Sequence, residues 1–160
     1  MQILFNYRLM KILKLSVNSQ GRFIKFPSYP GDDCFVSINS DYLNKIPLLS
    51  LEGFYKKVFG NVDLATCREL TSLEGIGKDF LLEIHGTLLL PSSLKRNVLG
   101  ILKIKNLIEV LVVNERNIIL PNEDFHRVAE MLNHHLHSGK NINKCKSELI
   151  EAGLEEFAQL

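Results

Sequence analysis

Short apolar runs alternate with polar residues through the first third of the chain and return in its second half, with helically spaced segments between and after them. Met10 to Val17 reads as a strand, Gly21 breaks it, and Arg22 to Phe26 alternates as a second strand. Pro27 to Asp32 is a dense turn signal, followed by short strand candidates at Cys34 to Asn39 and Asp41 to Ile46. Ser50 then reads as the N-cap of a helix through Phe59, with Phe54, Tyr55 and Val58 at helical spacing. A second helical stretch runs from Val62 to Leu73 and is ended by Gly75 and Gly77.

The order then starts again. Phe80 to Ile84 and Thr87 to Leu90 are strand candidates about Gly86, and Pro91 opens a short helix, its missing N–H costing nothing in a first turn. Leu107 to Val113 and Asn117 to Leu120 flank Asn114-Glu115-Arg116 as a hairpin candidate. A helix carrying Phe125, Val128, Met131 and Leu132 follows Pro121. The tail, residues 138–160, starts polar and ends with Leu149, Ile150, Leu154, Phe157 and Leu160 among four glutamates, an amphipathic helix pattern.

Laid side by side, the halves rhyme. Gly21 to Ser28 stands over Gly86 to Ser92, and Val36 to Asn39 over Leu111 to Asn114, each followed by a proline and a helix. The expected organisation is an N-terminal extension (residues 1–9), two repeats (10–74 and 75–137) and a helical tail (138–160), each repeat being too long for a solenoid unit.

Composition narrows the class. The 160 residues, 46% hydrophobic and 23% charged, suffice for a buried core and argue against disorder. The net charge of +1 conceals a gradient. Residues 1–31 carry Arg8, Lys11, Lys14, Arg22 and Lys25 with no acid, while the last twenty carry two lysines against four glutamates. A basic start suits a polyanion, and equally suits an edge strand guarded by lysines. Cys34, Cys67 and Cys145 have no metal or disulfide spacing and read as reduced thiols of a cytoplasmic protein. Basic residues interrupt any signal-peptide core, and the longest uncharged apolar stretch, Ile84 to Leu94, is too short to span a bilayer.

The paired layout, with Asn18-Ser19-Gln20-Gly21-Arg22 in the first copy and Glu83-Ile84-His85-Gly86-Thr87 running on to Pro91 and Leu94-Lys95 in the second, resembles the MraZ family, relatives of the AbrB swapped-hairpin regulators. The resemblance covers roughly residues 10–135. It implies an α+β, β-rich fold in which two repeats close one swapped-hairpin β-barrel with flanking helices. It also implies a homo-oligomer, in that family a ring, that binds double-stranded DNA upstream of the division and cell-wall genes in the nucleoid.

The chain departs from the family pattern where Asn18 stands for an acid, Glu83 for an aspartate and Thr87 for an arginine, and it has no tryptophan. Of the DNA-facing loop positions only Arg22 therefore carries over. Gly21 permits a tight turn, and the Arg22 fork can grip a phosphate or a guanine edge. Asn18 offers a weak brace for that arginine, and Lys14, Lys25, Lys95 and Arg96 are candidate phosphate contacts. The second loop, Glu83, Gly86 and Thr87, is poorly suited to phosphates because it carries a carboxylate.

Other chemistry finds little footing. His126, His134, His135 and His137 invite a metal reading, but no acid or thiol completes the set, so no metal is assigned. No phosphate loop, nucleophile elbow or acid pair supports an enzyme, and no cofactor is expected. The leading expectation is an oligomeric DNA-binding regulator. Its rival is a protein-interaction or assembly module without DNA binding, and a weaker third option is an antitoxin holding a toxin through residues 138–160, the segment most suited to a protein partner.

Overall fold

The computed structural model describes residues 16–17, 23–24, 33–34, 37–38, 48–112 and 123–159. Its strands in chain order are β1 (Ser16–Val17), β2 (Phe23–Ile24), β3 (Asp33–Cys34), β4 (Lys57–Val58), β5 (Val62–Asp63), β6 (Glu83–Ile84), β7 (Thr87–Leu90) and β8 (Glu109–Val112). Two helices follow, α1 (Glu123–His137) and α2 (Ile142–Glu151).

The backbones of β1 and β2 pair antiparallel, Ser16 opposite Ile24 and Val17 opposite Phe23. The other strands form two three-stranded sheets, β3–β4–β6 and β5–β7–β8, in which every pairing is parallel. Partners recur at a near-constant shift: Cys34 lies beside Val58, Val58 beside Ile84, and Leu88 beside Val110. The chain thus winds in coils of about two dozen residues, each laying one short strand on each sheet, as a parallel solenoid does.

This corrects the expected fold. Among the described residues there is no closed barrel and no swapped antiparallel hairpin, and the architecture is α/β. Alternation of apolar and polar residues predicts strands but says nothing of their direction. Parallel neighbours need a crossover of a dozen or more residues. The segments read as helices over Ser50 to Phe59 and Val62 to Leu73 instead hold β4 and β5, and successive tight turns in the rest of them form part of that crossover. Ser50 Oγ accepts from the Glu52 N–H at 3.0 Å, but Gly53 has φ of 83° and turns the chain away. Asp63 Oδ1 accepts from the Ala65 N–H at 2.9 Å, and the Cys67 and Leu70 amides donate back to Leu64 and Cys67 carbonyls. Pro91 opens turns rather than a helix, and a 3₁₀ turn forms later, at Leu99–Lys103. The first arm of the proposed hairpin is β8, which pairs parallel with β7. Its second arm, Asn117 to Leu120, and the strand expected at Asp41 to Ile46 lie outside the described residues.

One apolar core fills the coils. Ile38, Val62, Leu88 and Val110 form an inward row through the stacked register, and Cys34, Val58 and Ile84 form another; all are fully buried. The corner between the two rows is tight. A Cβ on Gly86 would lie 2.3 Å from Asn61 Oδ1 and 2.8 Å from the Gly60 carbonyl oxygen, and one on Gly60 would lie 2.6 Å from Ser37 Oγ. Glycine is required there because one coil's backbone runs against the last.

The α1 helix conforms to its sequence pattern. Phe125, Val128, Ala129, Leu132 and Leu136 are buried, at the spacing of one helical face. It packs on β8 and on the 3₁₀ turn at Leu99–Lys103, and α2 packs on α1. Asn141 caps α2, accepting from the Lys144 N–H at 3.0 Å. The tail folds onto its own chain: Cys145, Leu149, Leu154 and Phe157 are buried, and the Phe157 ring lies 5.7 Å from that of Phe125.

Candidate interaction surface

Because the side chains of a strand alternate between faces, each coil also turns residues outward at fixed register. On the β5–β7–β8 side, Ser37, Asn61, Thr87 and Glu109 fall in line. Ser37 Oγ accepts from the Asn61 N–H at 3.0 Å, Asn61 Oδ1 accepts from the Thr87 N–H at 2.9 Å, and Thr87 Oγ1 donates to Glu109 Oε1 at 3.4 Å. Side chain thus links each coil to the next at the corner, where the ladder is interrupted. Beside this row stand half-buried Leu89 and exposed Leu111.

On the β3–β4–β6 side the outward row is Asp33, Lys57, Glu83 and, through an isolated bridge, Lys105. Its charge alternates at every step. Next to it Phe59 and His85 stack with ring centroids 4.8 Å apart and planes 20° apart. Glu83 Oε1 accepts from Asn106 Nδ2 at 2.7 Å and lies 3.5 Å from His85 Nε2.

The second-loop residues therefore have distinct places. Glu83 is in β6, Gly86 is buried at the corner, and Thr87 begins β7. Lys95 and Arg96 are exposed on the next side of the coil, their amides donating to the Thr71 carbonyl at 2.9 and 3.1 Å. They do not join the Glu83–Thr87 corner. Lys14, Asn18, Gly21, Arg22 and Lys25 lie outside the described residues.

The remaining chemistry is quiet. Burial, reinforced by Asp63, pushes the Cys67 thiol up to about 12, and burial with Glu148 pushes Cys145 up to about 11. Both stay protonated at neutral pH and are poor nucleophiles. All three cysteines are buried, and no disulfide joins them. The histidines divide: His134 and His137 are exposed, His126 is half-buried, and His135, 2% exposed, sets its Nε2 2.6 Å from Glu148 Oε2. Among the described residues no three His, Cys, Asp or Glu side chains gather to hold a metal. A groove of about 300 Å³ between coils is walled by Glu74 and Asp79 with Lys78 and Lys103. Among the described residues no helix is long and apolar enough to cross a membrane.

Compared with known proteins, the chain matches no family model, no curated protein and no solved structure.

The stacked rows were missed in the sequence although a signal was there. Val58-Phe59-Gly60-Asn61-Val62 stands over Ile84-His85-Gly86-Thr87-Leu88, an apolar-x-Gly-x-apolar pattern one coil apart.

Proposed function

We propose that the chain is a non-catalytic protein-interaction module of a reducing, cytoplasmic compartment, which meets its partners through the outward faces of the two sheets. The observation that carries this reading is the alternating row Asp33–Lys57–Glu83–Lys105. Duplex DNA presents negative charge throughout and is bound by surfaces that neutralise many phosphates together. On this row it would meet a carboxylate at every second rung. Residues 48–112 as a whole hold eight lysines and arginines against seven acids, which is also poor for a polyanion. A protein surface, with both signs and apolar spots, is the better complement. Three buried cysteines joined by no disulfide support the reducing compartment.

The test pairs two titrations of folded protein. Random and upstream duplex DNA, at two salt concentrations, should show no salt-sensitive binding. Salt-sensitive binding lost in Arg22→Ala, or in Lys95→Ala with Arg96→Ala, would instead make the chain a DNA-binding regulator. In the second arm, a protein captured by the wild type should be lost with Leu111→Asp on the β5–β7–β8 face. Retention there, by a face carrying a new charge at its centre, would count against that face.

A further inference from the structure

The alternating row has a symmetry that one chain does not use. Read in one direction its charges run minus, plus, minus, plus; read backwards they run plus, minus, plus, minus. A two-fold axis lying in the plane of the face and parallel to the strands reverses the order of the coils. It brings the row of one copy against the row of another so that Asp33 meets Lys105 and Lys57 meets Glu83, and then each pair again by symmetry. The same operation brings the row containing Phe59 and His85 onto its copy, so that Phe59 of one meets His85 of the other. All four ionic contacts are attractive.

We infer that the β3–β4–β6 face pairs with the same face of a second copy of this chain, in an isologous, two-fold dimer. This rests on the protein-interaction reading and names the partner for one of its faces. Three observations support it. The row is unbroken over four coils. Among the described residues no ion pair closes between adjacent rungs of this row, and Glu83 meets Asn106 and His85. And Phe59, 39% exposed, and exposed His85 add aromatic area beside the charges, the residue type that interfaces favour.

Alternating charge also serves the single chain, since like charges on adjacent rungs repel. That requirement is met by any alternating row. The even number of rungs is what makes this one complementary to its own reversal; three or five rungs would put like charges opposite each other. Strand spacing of about 4.8 Å makes the row only about 14 Å long from first rung to last. With strands only two residues long, so short a row covers less area than the roughly 800 Å² per partner that a stable complex of standard size buries. The dimer is therefore weak and concentration-dependent, and electrostatic enough to fade as added salt shortens the Debye length from about 10 Å at 0.1 M to about 3 Å at 1 M.

Charge reversal tests the pairing by sedimentation of the full chain over a concentration series. The wild type should be a salt-sensitive monomer–dimer system. Lys57→Glu and Glu83→Lys should each weaken self-association roughly tenfold or more, because each sets two like pairs across the axis. Mixed together, the two variants should form a heterodimer, since every facing pair is then opposite in sign. The double variant, Lys57→Glu with Glu83→Lys, should recover self-association. Glu83→Gln, which introduces no like-charge neighbour within the chain, should weaken the dimer less than Glu83→Lys while leaving the circular dichroism spectrum unchanged.

A wild type that stays monomeric at every concentration would overturn the inference, as would single variants that dimerise like wild type or a mixture that fails to associate. Those results would leave the protein-interaction reading standing on its other face. Salt-sensitive DNA binding by the same samples would remove both.

Discussion

The side-chain amide of Asn133 on α1 occupies the place that a further coil would take beside Val110. Asn133 Oδ1 accepts from the Val110 N–H and its Nδ2 donates to the Val110 carbonyl, each at 2.7 Å. In a parallel ladder the N–H and C=O of one residue point to the same neighbour, so Val110 offers both to whatever follows β8. An amide side chain is a copy of a peptide group and satisfies both. Lys140 repeats the device, donating from Nζ to the Ile104 carbonyl at 3.0 Å. An exposed parallel edge is a template for unwanted pairing, and this one is closed by a helix.

Asn133→Ala should cost about 1–3 kcal/mol, the scale for leaving a partly buried polar pair unsatisfied. Asn133→Asp should not rescue it. A carboxylate can accept from the Val110 N–H but cannot donate to its carbonyl. Urea unfolding of the three proteins measures the difference, and equal midpoints would mean that the amide is dispensable.

Gly86→Ala should also destabilise, by roughly 1–3 kcal/mol, because its Cβ has no room against Asn61 Oδ1 and the Gly60 carbonyl oxygen. Asn61→Ala removes one of those two obstacles. The pair should therefore couple, the double variant losing less than the sum of the singles, as contacting residues do. Additive losses would place the two residues apart.

Much of the strand content was legible, and the arrangement was not. Thr87 to Leu90 alternates in the sequence and forms β7, and the face of Phe125, Val128 and Leu132 forms α1. Phe54, Tyr55 and Val58 are buried as their pattern demands, but a helix and a chain of tight turns can bury the same spacing. Only Gly53, with its positive φ, separates the two, and a glycine in a helical pattern is a weak stop signal. Gly86 marked a break, as expected, yet its structural counterpart in the previous coil is Gly60. The resemblance that set Gly86 against Gly21 implied a barrel, which the parallel sheets contradict. The outward rows were hidden for another reason: Lys57 and Glu83 are brought side by side only by register.

The contact between the two cap helices sets a pH limit. The hydrogen bond with His135 is the main force holding the Glu148 carboxyl below its ordinary value of 4.5; desolvation opposes it, and the charges of His135, Lys144 and His134 assist. A carboxyl whose folded value is depressed contributes stability that is present above 4.5 and is lost as pH falls through the lower folded value. Glu148→Gln should therefore be less stable than wild type near about pH 6, with the gap closing towards about pH 3. Denaturant midpoints across that range measure it, and a constant gap would mean that ionisation of Glu148 is not involved.

The parallel stacking on which all of this rests can be tested by one cross-link. Leu89 and Leu111 are register partners on the outward side of β7 and β8. Neighbouring strands lie about 4.8 Å apart, within the roughly 4.4–6.8 Å that a disulfide spans between Cα atoms. A chain carrying Leu89→Cys and Leu111→Cys, mildly oxidised and mapped by peptide mass, should show a 89–111 link within one molecule, with the three buried native thiols left free. Folded protein that gives no such link, or gives it only between molecules, would contradict the stacked solenoid.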